Sequence, residues 1–204
     1  INTIDLGLNL AVIQAWFPSR ALSINGTGWS ISVEFLFYAL PPLLYNLLYN
    51  KKKYRGITIT FIIVFFFASQ FFLNYYLQSN FYEGYPSNSH NFIFYFPLLH
   101  LNGFLMGNLA GLFFVKSSSA KTKNYDWIII LLIIATMAII KYGVWGLNLH
   151  NGLMAIVFLP LIVFISLNNG LLSRISQNKF LVFLGEISYG IYILQLPIFH
   201  FSKI

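Results

Sequence analysis

Two acidic side chains stand inside long apolar stretches of the sequence, where acid–base chemistry would be possible. Glu34 lies in NGTGWSISVEFLFYALPP and Glu186 lies in FLGEISYGIYILQLPIF. Burying a charge in apolar surroundings is costly unless the charge is paired or hydrogen-bonded, so each carboxylate needs an explanation. Solvent explains the remaining acidic residues, which fall at chain ends or in loops: Asp5, Glu83 and Asp126.

Glu34 belongs to a polar face of a predicted helix. Ser30, Glu34 and Tyr38 are spaced four residues apart, so on a helix they share one side. On a face that looks into a bundle or a water-filled cavity, Glu34 could accept a proton, orient a histidine or bind a hydroxyl. Alternatively, Glu34 lies within two turns of a helix start that has Thr27 as its predicted N-cap, where the helix dipole stabilises an anion. Spacing alone leaves both interpretations open.

A second polar face follows Glu186 near the carboxyl end of the chain. Ser188, Tyr192 and Gln195 lie on one side of the predicted helix, which suits either a cavity or hydrogen bonding between helices. Glu186 itself is near the start of that helix, and solvation at an interface accounts for it.

His100 precedes three glycines at four-residue spacing, Gly103, Gly107 and Gly111. Such small-residue steps let helices approach closely, so packing is the favoured interpretation. A lone histidine in such a segment is more often hydrogen-bonded to a neighbouring helix than catalytic.

The elements that position these residues are membrane-spanning helices. Of 204 residues, 58% are hydrophobic and only 8% are charged, too few to cover a water-facing surface. The sequence therefore predicts an all-α, polytopic integral membrane helical bundle, a single domain over 1–204. Six spans are predicted, near 29–49, 56–78, 93–115, 127–143, 151–168 and 180–201. A shorter apolar stretch at 4–17 is either the stub of a helix or an interfacial half-helix.

Basic residues predict the orientation of these spans. Nine of the twelve fall in alternate loops, and positive residues resist translocation, so that side is predicted to be cytoplasmic. The nine are Lys51, Lys52, Lys53, Arg55, Lys116, Lys121, Lys123, Arg174 and Lys179. The other side has Arg20, Lys141 and Lys203. This distribution argues against nucleic acid as the partner of the +7 chain. No His or carboxylate pair has metal-ligand spacing, so no metal or bound cofactor is predicted.

Three stretches together resemble the acyltransferase-3 family of integral membrane acyltransferases. The first, AVIQAWFPSRALSINGTGWSISVEFLFYALPPLLY, is similar to the family's Asn-Gly, Trp-Ser-Leu-Ser-Val-Glu and Phe-Tyr-plus-proline pattern, with Ile31 in place of leucine. The second, YFPLLHLNGFLMGNLAG, is similar to its Pro-x-x-(Arg or His)-Leu-x-x-Phe-Leu-x-Gly segment. The third, FLGEISYGIYILQLPIF, resembles Leu-Gly-x-x-Ser-Tyr-x-x-Tyr-x-x-(His or Gln)-x-Pro. They occur in the family's order and cover nearly the whole chain.

The resemblance implies transfer of an acetyl or other short acyl group from acyl-CoA to a carbohydrate hydroxyl of a cell-surface or exported glycan. It places the protein in the bacterial cytoplasmic membrane, with the basic loops inside. Glu34 is the implied catalytic residue, and the implied substrate-binding or cavity residues are Trp29, Ser30, Tyr38, His100, Ser188, Tyr189, Tyr192 and Gln195. The family's basic residue and histidine on a first span are not in this sequence, so we expect spans before Ile1, another after Ile204, and no activity from this stretch alone.

The chain departs from the family pattern at three positions. His100 stands where arginine is common, Gly103 stands where glutamate often occurs, and Gln195 stands where histidine is frequent. Two alternatives remain. A glycan or lipid transporter or flippase subunit would use the same polar faces without catalysis. The other large group of membrane-bound O-acyltransferases has a histidine in an apolar helix, a part that His100 could play. The acceptor sugar, the acyl chain and the oligomeric state stay open.

Overall fold

A computed structural model describes residues 2–51, 53, 55–117, 123–143 and 147–202, apart from the side chain of His200. Within these ranges the chain is helical and forms no β-strand, and its β-structure is limited to isolated bridge residues, such as the pair Lys123 and Asn168. The all-α prediction is confirmed. The α-helices of this described part are α1 (Thr3–Leu10), α2 (Trp29–Leu44), α3 (Arg55–Gln78), α4 (Asn88–Tyr95), α5 (Leu101–Ser117), α6 (Asp126–Tyr142), α7 (Ala155–Leu167), α8 (Leu171–Ser176) and α9 (Lys179–Phe201).

Four helical segments of the described chain are long and apolar enough to cross a membrane. They are Trp29–Tyr49, Arg55–Gln78, Pro97–Ser117 and Lys179–Phe199. The first is α2 continued by a π-helical turn over Tyr45–Tyr49. Large apolar side chains stand outward along these helices, such as Phe61 and Phe71 on α3. Because lipid is the only solvent in which such a surface is stable, the chain is an integral membrane protein.

Two of the predicted spans have different bounds in the structure. The segment predicted at 93–115 is interrupted at Phe96, whose extended backbone separates α4 from a short 3₁₀ turn beginning at Pro97. A residue that precedes proline disfavours the helical conformation, which explains the break. The segment predicted at 151–168 becomes helical only from Ala155, because Asn151 and Gly152 have positive φ angles of 53° and 97°. With 13 residues, α7 is about 20 Å long, less than the hydrocarbon thickness.

The apolar stretch at 4–17 contains α1 and a 3₁₀ turn at Gln14–Trp16. With eight residues, α1 is about 12 Å long, too short to cross a bilayer. An ion pair of 2.7 Å between Arg20 and Asp5 ties it to the turn at Pro18–Arg20. In the described chain this stretch therefore has the length expected of an interfacial half-helix.

The chain forms two compact units. The first comprises Ile1–Asn102 with Ser188–Ile204, and the second comprises Gly103–Ile187. Buried side chains of α2, α3 and α4 form the core of the first unit, among them Val33, Ile62, Phe66 and Ile93. In the second unit, α6 packs on α7. The single-domain prediction stays a prediction.

Small residues allow close packing in the second unit. A Cβ atom on Gly103 would lie 3.5 Å from the Cα of Gly152, and one on Gly107 would lie 4.0 Å from Leu159. A Cβ on Gly111 would meet nothing within 4 Å. The packing interpretation of this glycine series therefore holds for its first two members.

A carboxylate ties the start of α6 to the turn before α8. Asp126 accepts hydrogen bonds from the Asn168 amide at 2.8 Å and from the backbone N–H groups of Leu171 and Leu172 at 2.9 and 3.2 Å. These donors, Asn168 foremost, hold the pKa of Asp126 below its ordinary value of 3.8. A Cβ added to Gly170 would overlap the Asp126 carboxylate. A side chain at this position would therefore displace the Asp126 carboxylate.

Replacing Gly170 with alanine should lower the thermal midpoint of the detergent-solubilised protein by about 2–4 °C, because the new methyl group displaces Asp126 from its donors. The measurement is thermal unfolding followed by circular dichroism. Gly185→Ala is the matched control, since a Cβ there meets nothing within 4 Å. Alanine in a helix is at least as favourable as glycine, so the control should not lose stability. Equal midpoints for the two variants would contradict the proposed role of the Asp126 tie.

Part of the charge pattern lies beyond the described residues. Lys52, Lys121 and Lys203, which contribute to the predicted orientation, are outside them. The remaining basic residues of the pattern flank the helices, as Arg55 does at the start of α3 and Lys179 at the start of α9.

Candidate functional site

A proline in α9 leaves a backbone carbonyl without its helical donor, and two side chains from the turn before α2 contact this carbonyl. We call this contact the anchor of the site. Pro197 has no N–H group, so the carbonyl of Ile193, four residues earlier, loses its helical donor. The Asn25 amide donates to this carbonyl at 3.1 Å, and the Thr27 hydroxyl lies 3.2 Å from it. Two polar side chains of the turn before α2 thus satisfy a carbonyl that the proline exposes.

The turn before α2 is closely packed. A Cβ on Gly26 would lie 3.0 Å from the Leu196 side chain, and one on Gly28 would lie 3.0 Å from the Asn25 carbonyl oxygen. The Gln14 amide donates to the Gly28 carbonyl at 2.8 Å. The prediction that Thr27 is the N-cap of α2 is wrong. Gly28 holds that position, and Thr27 bonds Asn25 and Ile193 instead.

The anchor brings Glu34 to a tyrosine of α9. Tyr189 lies one turn before Ile193, and its hydroxyl lies within hydrogen-bonding reach of the side chains of Glu34 and Ser30. An ionised carboxylate can only accept hydrogen bonds, so the tyrosine O–H donates to Glu34. Glu34 is half-buried, whereas Tyr189 is 41% exposed. The carboxylate therefore has a hydrogen-bond donor close by and remains partly accessible.

Trp29, which directly precedes Ser30 on α2, is the centre of an aromatic group. Its ring stacks on the imidazole of His100, with centroids 5.3 Å apart and planes at 26°, and it contacts Tyr95 at 5.2 Å. The His100 Nε2 lies 3.1 Å from the Phe94 carbonyl. A carbonyl only accepts, so Nε2 carries the proton in this contact. His100 is thus bonded within the break between α4 and α5.

The remaining residues predicted for the site are mostly exposed. The Tyr192 ring is 6.3 Å from that of Tyr189, on the same helix. Tyr38 is 79% exposed although it shares a helix face with Glu34. Ser188 and Gln195 are exposed, as is Glu186 in the second unit. Ser30, Glu34 and Tyr189 thus form one cluster and Trp29 and His100 form a stacked pair, while Tyr38 and Gln195 are exposed.

Sequence reasoning missed the residues that hold the site together. Asn25 and Gln14 were not predicted to take part, yet each donates to a backbone carbonyl. Pro197 was noted only as part of a motif. Its missing N–H was a readable signal that a carbonyl in α9 needs another donor. Among the described residues, no three His, Cys, Asp or Glu side chains are grouped so that they could hold a metal ion.

Comparison with known proteins identifies the class. The model of an acyltransferase domain family, acyltransferase-3, matches residues 1–203. The chain therefore belongs to the acyltransferase-3 family and is a membrane acyltransferase. This confirms the resemblance of its three motifs and separates the chain from the other group of membrane-bound O-acyltransferases. No curated protein and no solved structure matches the chain.

Proposed function

We propose that the protein transfers an acetyl or other short acyl group from acyl-CoA to a carbohydrate hydroxyl of an exported or cell-surface glycan. The observation that carries the proposal is the Glu34 carboxylate, half-buried on a membrane helix with the Tyr189 hydroxyl within hydrogen-bonding reach. A carboxylate has more acceptor positions than one tyrosine fills, so Glu34 can also accept a bond from a substrate hydroxyl.

In the proposed reaction the sugar oxygen attacks the thioester carbon. A C–O ester bond forms, the C–S bond breaks, the sugar proton passes to a base and the CoA sulfur leaves to be protonated. Glu34 is proposed to bind the attacking hydroxyl, or to orient the histidine that other members of the family supply. Tyr189 is a positioning residue, because it acts through the carboxylate, and Ser30 lies beside the Tyr189 hydroxyl. Trp29 closes one side of the cluster.

The distribution of basic residues in the sequence supports separate sides of the membrane for the two substrates. The basic loops are proposed to lie in the cytoplasm, where the anionic acyl-CoA is found, and the turn before α2 is proposed to face outward. We propose the bacterial cytoplasmic membrane as the location. No nucleic acid and no metal enters this scheme.

Membranes from cells that express the full-length protein test the proposal. They are supplied with radiolabelled acetyl-CoA and with the cells' own polysaccharide, freed of O-acyl groups by mild alkali. We expect label in the polysaccharide that alkali releases again, and none with membranes from cells carrying an empty vector. If neither acetyl-CoA nor succinyl-CoA labels the polysaccharide, the proposed reaction is wrong. Accelerated movement of lipid-linked glycan across vesicles without labelling would then favour the transporter alternative.

A further inference from the structure

A continuous run of aromatic rings leads from the surface of the first unit to the candidate site. Tyr85 contacts His90 at 5.1 Å between ring centroids, and His90 contacts Tyr95 at 6.0 Å. Tyr95 contacts Trp29 at 5.2 Å, and Trp29 stacks on His100 at 5.3 Å. We call these five residues the aromatic run. Tyr85, at its outer end, is 68% exposed, and Trp29 directly precedes Ser30.

Hydrogen bonds hold the outer end of the run in place. The Tyr82 hydroxyl is 2.9 Å from the ring Nδ1 atom of His90. The Ser87 hydroxyl accepts a hydrogen bond from the backbone N–H of His90 at 3.0 Å. The Asn91 amide donates to the Pro18 carbonyl at 2.8 Å. A surface fixed in this way loses little conformational entropy when a ligand binds, which favours recognition.

The chemistry of the run selects its ligand. Aromatic faces carry partial negative charge and attract the weakly positive C–H groups of a sugar ring, while hydroxyl and imidazole edges suit sugar hydroxyls. Between residues 76 and 100 the only charged side chain is Glu83, which is exposed. Arg20, in the turn that packs on α4, is paired with Asp5, so the phosphates of acyl-CoA would find no unpaired cation among these residues. A neutral polyhydroxylated compound fits this surface better than an anionic one.

We infer that the aromatic run is a binding site for the sugar units of the glycan acceptor, extending from Tyr85 to the cluster at Glu34. The inference rests on the proposed function, because it assigns the acceptor of that reaction to this side of the site. The outer rings bind sugar units that do not react. Trp29 and His100, beside Ser30, lie closest to the unit that receives the acyl group.

The test varies the concentration of the alkali-treated polysaccharide in the membrane transfer assay at saturating acetyl-CoA. For Tyr85→Ala we expect the half-saturating acceptor concentration to rise roughly five- to tenfold, with the maximal rate within about twofold of wild type. Tyr85→Trp, which keeps a ring, should stay within about twofold on both. The half-saturating acetyl-CoA concentration should not change, because the donor does not touch Tyr85.

Phe81→Ala is the matched control. Phe81 is 76% exposed in the same loop and makes no ring contact with the aromatic run among the residues described. The control should behave as wild type. If Tyr85→Ala and Phe81→Ala have the same half-saturating acceptor concentration, or if Tyr85→Ala changes only the maximal rate, the inference is overturned.

A binding experiment separates this inference from the proposed function. If the wild-type protein transfers no acyl group, the purified full-length protein is titrated with the same polysaccharide while its tryptophan fluorescence is recorded, since Trp29 is part of the run. Quenching in the wild type and in Phe81→Ala that is lost in Tyr85→Ala would support a sugar site even without transfer. Equal quenching in all three, or none in the wild type, would overturn it.

Discussion

Replacing Glu34 with glutamine should reduce acyl transfer by at least about a hundredfold, the usual contribution of a positioned acid–base group. Glutamine keeps the size of the side chain but removes its charge and half of its acceptor capacity. The Tyr189 hydroxyl would still find an oxygen, so the local packing should survive. The loss is measured as labelled polysaccharide formed per amount of protein in membranes that contain the full-length chain.

Glu186→Gln provides the control for this experiment. Glu186 is also a carboxylate on a membrane helix, but it is exposed and has no hydrogen bond or ion pair with the described part of the chain. Its replacement should leave transfer within about twofold of wild type, as expected for a solvated surface group. If Glu34→Gln transfers as well as Glu186→Gln does, Glu34 has no part in the reaction.

The sequence predicted the helices well where composition alone decides them. The predicted bounds 56–78 and 180–201 differ by a residue or so from those of α3 and α9. An uninterrupted apolar run fixes a spanning helix, because backbone polar groups in lipid must bond within their own segment. The predictions were less accurate where a single residue interrupts the run. Pro97 breaks the segment before α5, and the Asn151–Gly152 turn delays the start of α7.

Spacing predicted which residues share a helix face, but not which part of the face meets a partner. Ser30, Glu34 and Tyr38 do follow a four-residue period, yet only the first two reach Tyr189. The described contacts join the start of α2 and the turn before it to α9. They involve positions 25 to 34 of the former and 189 to 196 of α9. The contacts end at Glu34, one turn before Tyr38, whose side chain is exposed.

For the anchor of the site, the sequence predicts that a carbonyl needs a donor but not which residue supplies it. Pro197 shows from the sequence that the Ile193 carbonyl needs a donor outside its own helix. Which donor serves it depends on tertiary structure, since Asn25 lies 168 residues away in the chain. Both partners fall within the family motifs, Asn25 in the first and Pro197 in the third. The hydrogen bond gives a physical reason why these two motifs occur in one protein.

Replacing Tyr189 with phenylalanine should lower transfer roughly tenfold, because a hydrogen bond to a charged group contributes about 1.5–3 kcal/mol and part of it is retained by Ser30 or water. The decisive measurement is a double-mutant cycle. Added to Glu34→Gln, Tyr189→Phe should cause little further loss, since the carboxylate that the hydroxyl positions is already gone. Tyr75→Phe on α3 controls for the loss of a tyrosine hydroxyl elsewhere on a membrane helix.

The outcome of the cycle separates positioning from stability. If Tyr189 only supported the fold, its replacement would lower transfer by the same factor in both backgrounds and would lower the amount of folded protein in the membrane. A loss confined to the background that retains Glu34, with unchanged protein levels, requires that the hydroxyl act through the carboxylate. Equal losses in both backgrounds at unchanged protein levels would mean that Tyr189 and Glu34 contribute independently, and an interaction between the two side chains would have no part in the reaction.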